Sequence, residues 1–360
     1  MIQMINPTDG SFELTRTCAV DDRTVFVSSV ESNSDIYEPA STVWRYSDLD
    51  GTPQWMSTHV DSHIETIIPS DSPNDCIVLS SEGEVIFNPL TGLTVERLIC
   101  AGTWIDGAKG YGRMLSLSRI GDRLIACGNG GQIYFRKDSG NWSLLTKALL
   151  FDPEAHARLR RTAPPTTDPG FLQWLTDSRA QKPRNISLHD IAGVSDDAIY
   201  ICGVEATKPI LCFWDGTTLH ELKTYLDEAA FTGIYIENPD SVWVCGREGV
   251  LLHGSYARGF APVSLNTQLN LFHMITPYRG KLVMPASVRP GGLYEYDPKT
   301  GDFGKFDPPL PRLRSRDDQN SIDGGPFFAQ AVGDVLWVVA SKDIFRFDGK
   351  EWERIDHPDL

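Results

Sequence analysis

The stretch from Ser187 to Leu222, SLHDIAGVSDDAIYICGVEATKPILCFWDGTTLHEL, decides the fold. It holds an apolar run from Leu188 to Val194, a turn at Asp196-Asp197, an alternating run from Ala198 to Gly203, a third run from Ile210 to Trp214, an Asp215-Gly216 hairpin turn and a fourth run from Leu219 to Leu222. Short runs rich in β-branched and aromatic residues, separated by tight-turn residues, read as four antiparallel strands of one small sheet. Alone, such a sheet cannot bury both faces, so it needs a copy of itself on either side.

The copies are present. A turn followed by an apolar second strand recurs at Asp22, Asp75, Asp122, Asp197, Asp240, Gly280 and Asp334. A third strand follows each, at Val43-Tyr46, Val85-Phe87, Ile133-Arg136, Leu211-Trp214, Val250-His253, Leu293-Tyr296 and Ile344-Phe347. Most close with a turn such as Asp50-Gly51, Thr91-Gly92, Ser139-Gly140, Asp215-Gly216, Thr300-Gly301 or Asp348-Gly349, and the fifth unit is loosest, with Gly254 to Gly259 in the turn's place. Gly and Asp/Asn are expected there because both tolerate positive φ. The reading is all-β: a seven-bladed β-propeller of four-stranded antiparallel blades, one domain over residues 1–360.

The string Gly130-Gly131-Gln132-Ile133-Tyr134-Phe135 through Asp138-Ser139-Gly140-Asn141-Trp142, with Ile191 to Trp214, Trp243 to His253 and Asp348-Gly349-Lys350-Glu351-Trp352, resembles the bacterial WD40/YVTN/BNR-like repeat superfamily. The resemblance runs through nearly the whole chain and is one of architecture. It implies scaffolds, assembly factors, a few enzymes or cytosolic immunity proteins of secreted bacterial toxins, and fold alone does not choose among these.

Composition narrows the field. With 48 acidic against 33 basic residues the net charge is −15, which opposes nonspecific nucleic-acid binding and suits a basic protein partner. No apolar run reaches the roughly 18 residues of a membrane helix, and Met1 to Gly10 lacks a signal-peptide pattern, so a cytoplasmic protein is expected. The seven cysteines are odd in number and most fall inside strands, where they read as buried small apolar residues of a reducing compartment. None has the CxxC spacing of a zinc site, and no cofactor is expected.

Propeller strands run a to d from the channel outward, with a–b and c–d turns on one face and b–c and d–a connections on the other. The long segments, Ser29 to Ser41, Ala101 to Gly112, Lys147 to Asn185, Thr224 to Phe231 and Asp307 to Pro326, all belong to the second class and decorate one face. Such loops on a rigid scaffold are the expected binding surface. The longest, an inserted flap over residues 147–185 between blades 3 and 4, carries seven basic and four acidic residues. Its residues 148–161 read as a short basic helix, and Asp168-Pro169 reads as the capped start of another. Arg158, Arg160, Arg161, Phe171 and Trp174 are its candidate partner-binding residues, read as exposed and of types that anchor interfaces, the alternative being that Phe171, Trp174 and Leu175 pack down on the propeller. In Asp307 to Pro326, Arg312, Arg314 and Arg316 follow Pro308-Pro309-Leu310-Pro311; the stretch reads as extended, either solvated or gripping an acidic patch.

At the channel mouth the early residues of the innermost strands are Glu65, Arg113, His189, Asp190, Thr232, His273 and Gln330. His189, Asp190 and His273 are weak metal candidates, since propeller lactonases and hydrolases hold metal in the funnel with several convergent carboxylates, which are few here. Asp138-x-Gly140-x-Trp142 falls one residue short of a sialidase Asp box, and Gly128-Asn129-Gly130-Gly131 joins two strands without a following helix, so it is a hairpin loop and not a phosphate cradle. The expectation is a non-enzymatic, protein-binding immunity or antitoxin protein that sterically blocks a toxin or toxin domain. The alternatives are a funnel-metal hydrolase or lactonase and an assembly scaffold.

Overall fold

A computed structural model describes residues 12–31, 40–48, 51–265, 272–288, 290–314 and 325–358. Within it stand seven separate four-stranded sheets, each ordered a-b-c-d in sequence and antiparallel throughout. They span residues 12–60, 64–97, 114–144, 186–221, 231–262, 276–305 and 328–355, numbered here as blades 1 to 7. In blade 4 the strands run Ile186–Ser195, Ala198–Glu205, Lys208–Trp214 and Leu219–Glu221, so the repeat unit read from sequence is one blade. A seven-bladed propeller is the fold, with two short helices, α1 (Pro153–Arg161) and α2 (Phe171–Gln181), between blades 3 and 4.

The core is divided by this architecture into wedges, one at every junction between neighbouring blades. Blades 2 and 3 pack Leu79, Val85, Met114, Tyr134 and Trp142 together, whereas blades 3 and 4 pack Ile125, Ile133, Ile191, Ile199 and Ile201. Each fully buried aliphatic or aromatic side chain contributes roughly 1.5–3 kcal/mol, and alternation along the strand gives each blade a share in two wedges.

Among the described residues closure uses no shared strand. Blade 7 meets blade 1 through the wedge of Leu14, Val25, Tyr46, Trp337 and Ile344. The Leu14 amide donates to the Ser341 carbonyl at 2.8 Å, and the indole of Trp337 donates to the Asp21 carbonyl at 3.0 Å. His357, just past blade 7, lies with its ring centroid 4.6 Å from those of both Trp44 and Trp55 of blade 1.

The turns correct one expectation. Glycine does supply the left-handed residue, as at Gly216 (φ 91°) and Gly349 (φ 93°), but the aspartates act as hydrogen-bond acceptors. Asp215 Oδ1 accepts from the amides of Thr217 and Thr218, and Asp348 Oδ1 from those of Lys350 and Glu351. At Thr91-Gly92 the left-handed residue is Asn88, and the buried Asp75 closes the turn by accepting from the Leu90 and Thr91 amides. Asp50 lies outside the described residues.

Six cysteines, Cys18, Cys76, Cys127, Cys202, Cys212 and Cys245, are buried free thiols, and Cys100 is half-buried. Burial pushes Cys18 and Cys212 up to about 12.

Candidate partner-binding face and central funnel

Bulges shape the funnel wall. In blades 1 to 5 the innermost strand carries one extra residue near its start: Thr15 between Leu14 and Arg16, Glu65, Leu115, His189 and Thr232. A bulged residue leaves the ladder and turns its side chain aside. All five of these line a central cavity of about 680 Å³, with Arg16, Asp190, His273 and Ser287. In blades 3 to 5 the bulge also explains the Cys-Gly pair of the second strand. A Cβ on Gly203 would sit 1.9 Å from the Ser187 carbonyl oxygen, and on Gly246 it would sit 2.1 Å from that of Ala230. Only glycine admits the bulged backbone there.

One carboxylate joins three blades in this wall. Buried Glu65 of blade 2 meets Arg16 of blade 1 at 2.5 Å and Arg113 at the entry of blade 3 at 2.6 Å. Asp190 does the same further round: its Oδ1 accepts from the Ser116 hydroxyl and the Ile191 amide, and its Oδ2 from the Ile234 amide of blade 5 at 2.8 Å. Desolvation wins over these donors and raises its carboxyl to about 6. His189 Nδ1 is 2.7 Å from the Phe231 carbonyl, and burial lowers its imidazole from the ordinary value. His273 Nε2 is 2.6 Å from Ser287 Oγ; burial, aided by Arg16, lowers it to about 4. The structure therefore brings Glu65, His189, Asp190, Thr232 and His273 together, while Gln330 instead accepts from the Ala19 amide at the blade 7–1 junction. The three metal candidates each engage a separate backbone or hydroxyl partner, and among the described residues no three His, Cys, Asp or Glu side chains gather as a metal site.

The flap is rooted at both ends. Leu149 is buried in the blade 3–4 wedge, and the Phe151 amide donates to the Gly130 carbonyl at 2.8 Å. At the other root Arg184 forks onto Glu205 (2.7 Å) and Glu221 (2.5 Å) of blade 4. The roots thus belong to the blades, and the protruding part is shorter than residues 147–185. Helix α1 is capped by Asp152, whose carboxylate accepts from the Ala155 amide, and carries Arg158, Arg160 and Arg161 exposed in its last turns. Arg158 pairs within its own helix with Asp152 and Glu154 at 3.3 and 3.4 Å. Helix α2 starts at Phe171, three residues after Asp168, which instead caps the preceding turn by accepting from the Gly170 amide. Phe171 and Trp174, expected to stand exposed, are half-buried against each other with centroids 6.1 Å apart, and the Trp174 indole donates to the hydroxyl of Thr162, the C-cap of α1. Leu172 is the exposed apolar residue of the helix, at 74%.

Where it is described, the proline-rich stretch is packed against blade 7. Phe306 and Leu313 are buried in the blade 6–7 wedge, and the Trp352 indole donates to the Pro308 carbonyl at 3.1 Å. Arg314 is committed to blade 7, its amide donating to Asp343 at 2.6 Å and its guanidinium meeting Asp356 at 2.8 Å. Arg312 is exposed, and its carbonyl accepts from Arg354. Arg316 lies outside the described residues, as do residues 32–39 of the first long loop.

Sequence reading missed a second exposed set. Leu93, Val95, Ile99 and Trp104 stand out on blade 2 and the segment after it. The period-2 pattern of Leu93-Thr-Val-Glu-Arg-Leu-Ile99 was the available signal, with its alternate members Glu96 and Leu98 buried. The connections that carry this segment and the flap both reach the hairpin loop of blade 3, where the Asn129 amide donates to the Arg113 carbonyl and the Phe151 amide to that of Gly130.

Among solved structures the propeller aligns with the WD40 β-propeller domain of Doa1 at TM-score 0.59 and 12% identity, covering 94% of this chain and 93% of that one. The chain has the WD40-type propeller fold. It also aligns with a Mycobacterium tuberculosis puromycin-hydrolyzing peptidase at TM-score 0.53 and 12% identity, covering 96% of this chain but 52% of the peptidase. In sequence it is 24% identical over 261 residues to Immune protein Tsi7 of Pseudomonas aeruginosa, covering 70% of this chain and 67% of that protein. The chain matches no protein-family model. Among the described residues no helix is long and apolar enough to cross a membrane.

Proposed function

We propose that this propeller is a cytoplasmic immunity protein without catalytic activity, which binds one protein toxin through its loop-rich face and blocks it sterically. The observation that carries the reading is the distant likeness to an immunity protein, which extends over two thirds of both sequences. The decorated face supports it: the connections that carry Trp104 and the flap meet at the hairpin loop of blade 3, Trp104, Arg160, Arg161 and Leu172 are exposed on them, and Arg312 is exposed on the connection between blades 6 and 7. We assign Phe171 and Trp174 the role of stiffening the flap, and the whole chain the role of one domain. The acidic surface, −15 in net charge, steers a basic partner and makes association salt-dependent.

The test is affinity capture from extract of the source cells at low and high salt, repeated with residues 153–182 replaced by a short Gly/Ser linker. One stoichiometric basic partner, lost at high salt and weakened in the linker variant, is expected; undiminished binding by the variant would remove the flap from the interface. A hydrolase reading has the 2.6 Å Ser287–His273 contact in the funnel on its side. An imidazole lowered to about 4 is a weak base at neutral pH, and the reading requires hydrolytic activity lost in Ser287→Ala.

A further inference from the structure

Rings meet across most junctions between neighbouring blades. Tyr256 stacks on Phe213 between blades 5 and 4 with centroids 4.2 Å apart, and Trp243 meets Tyr296 between blades 5 and 6 at 5.8 Å. Trp352 meets Phe306 between blades 7 and 6 at 5.8 Å, and Arg136 of blade 3 lies 4.6 Å over Phe87 of blade 2. Among the described residues no ring of blade 1 stacks on one of blade 2, whose shared wedge is built mainly of smaller groups such as Cys18, Val43, Val60 and Cys76. A groove of about 790 Å³ remains there.

Its chemistry is specific. One wall is the outermost strand of blade 2 (Thr94–Arg97), which pairs on one edge only and presents Leu93 and Val95 at 59% and 44% exposure. Trp104, 73% exposed, stands at the end of the groove. Its turn is held in place because buried Glu82 accepts from the amides of Thr103 and Trp104 at 2.7 and 2.8 Å. Of the ten large apolar side chains exposed among the described residues, four fall between Leu93 and Trp104, so the patch is not scatter. The lining holds three carboxylates, Asp61, Glu82 and Glu84, with Arg97 and His59; Arg97 pairs with Glu84 at 2.7 Å and His59 Nε2 lies 3.1 Å from the exposed Asp61, which leaves the set net acidic. A second copy of this acidic chain would bring the same carboxylates face to face, whereas a basic segment would meet opposite charge.

We propose that the blade 1–2 groove docks an extended polypeptide segment of a partner protein, with apolar residues at alternate positions and Lys or Arg between them. The segment adds as a fifth strand to the open edge of blade 2, sets its apolar side chains against Val95, Leu93 and Trp104, and directs its basic ones to Asp61, the exposed carboxylate of the lining. This stands apart from the immunity reading, since it concerns the chemistry of the segment and not what its owner does.

The experiment uses the full chain and two fluorescein-labelled peptides of about twelve residues. One alternates Lys/Arg with Val/Ile; the other has the same composition with its apolar residues in one block. Fluorescence anisotropy is measured for the natural protein, Val95→Asp and Trp104→Ala, with circular dichroism and thermal denaturation confirming that both exposed substitutions leave the fold intact. The alternating peptide is expected to bind better than the blocked one and to lose about tenfold or more with either substitution, about 1.4 kcal/mol. Val95→Asp makes the groove more acidic, so purely electrostatic attraction would tighten binding to this variant, and that result overturns the proposal. Equal binding of the two peptides, or no binding, also overturns it. So does a dimer in sedimentation that Val95→Asp dissolves, which would make a second copy the occupant.

Discussion

Removing the Glu65 carboxylate tests the account of the funnel wall most directly. Glu65 is 4% exposed and carries ion pairs of 2.5 and 2.6 Å to Arg16 and Arg113, which belong to the blades on either side of its own. Breaking a fully buried pair costs about 3–5 kcal/mol because the partner charge is stranded. Here the two guanidinium side chains are 40% and 48% exposed, so water takes up much of that charge, and the loss in Glu65→Ala comes down to about 2 kcal/mol. An unfolding entropy of about 2 cal/mol/K per residue gives this 360-residue chain about 0.7 kcal/mol/K, so the midpoint falls by about 3 °C. The assay is thermal denaturation of Arg16→Ala, Arg113→Ala, Glu65→Ala and the paired variants, at low and high salt. Each Arg/Glu cycle should show a coupling of about 0.5–1 kcal/mol that shrinks with salt. Additive losses would mean that the carboxylate does not tie the three blades, and the reasoning would fail.

Three other outcomes follow from the geometry. Gly203→Ala would place a methyl 1.9 Å from a backbone oxygen, so it should lower stability by about 3 kcal/mol or more, or leave no soluble protein, whereas Gly140→Ala, with nothing within 4 Å, should cost only the strain of its positive φ; denaturant melts compare the two. Burial holds His357 at about 4, below the unfolded imidazole near 6.5, so its contribution of up to about 3 kcal/mol is present above pH 6.5 and lost as pH falls toward 4. Asp190, raised by burial to about 6, works the other way, stabilising at low pH and losing that contribution as pH climbs from about 4 to 6; His357→Phe should therefore flatten the acid limb and Asp190→Asn should not. In the native state about one of the seven thiols, Cys100, should react with a thiol reagent, and all seven should react in denaturant; rapid native labelling of several would contradict the buried strands.

The blades were legible because their signals are local: alternation along a strand and a turn residue between strands are read within ten residues. The funnel was half legible. Its residues near the starts of innermost strands were found, but Gln330 was assigned to it wrongly, since only the packing of blade 7 against blade 1 turns that amide toward Ala19. The bulges had a signal that went unread, the glycine after Cys127, Cys202 and Cys245, whose absent side chain makes room for the partner strand's extra residue. Arg314 looked like a free cation in a proline-rich loop because its partners, Asp343 and Asp356, lie 29 and 42 residues away and reach it only once blade 7 is folded. Phe171 and Trp174 were legible as helix residues, but their mutual stacking depends on the helix starting at Phe171.

The way the ring closes has a mechanical meaning. Six of the seven junctions are crossed by the chain itself, and the seventh, between blades 7 and 1, is held by side chains and scattered hydrogen bonds from Leu14, Trp55 and Trp337. The molecule is thus a split washer. A load spreading the disc, such as a partner wedged into its mouth, would be borne by covalent bonds at six places and would part the slit at Trp44, Trp55 and His357 first.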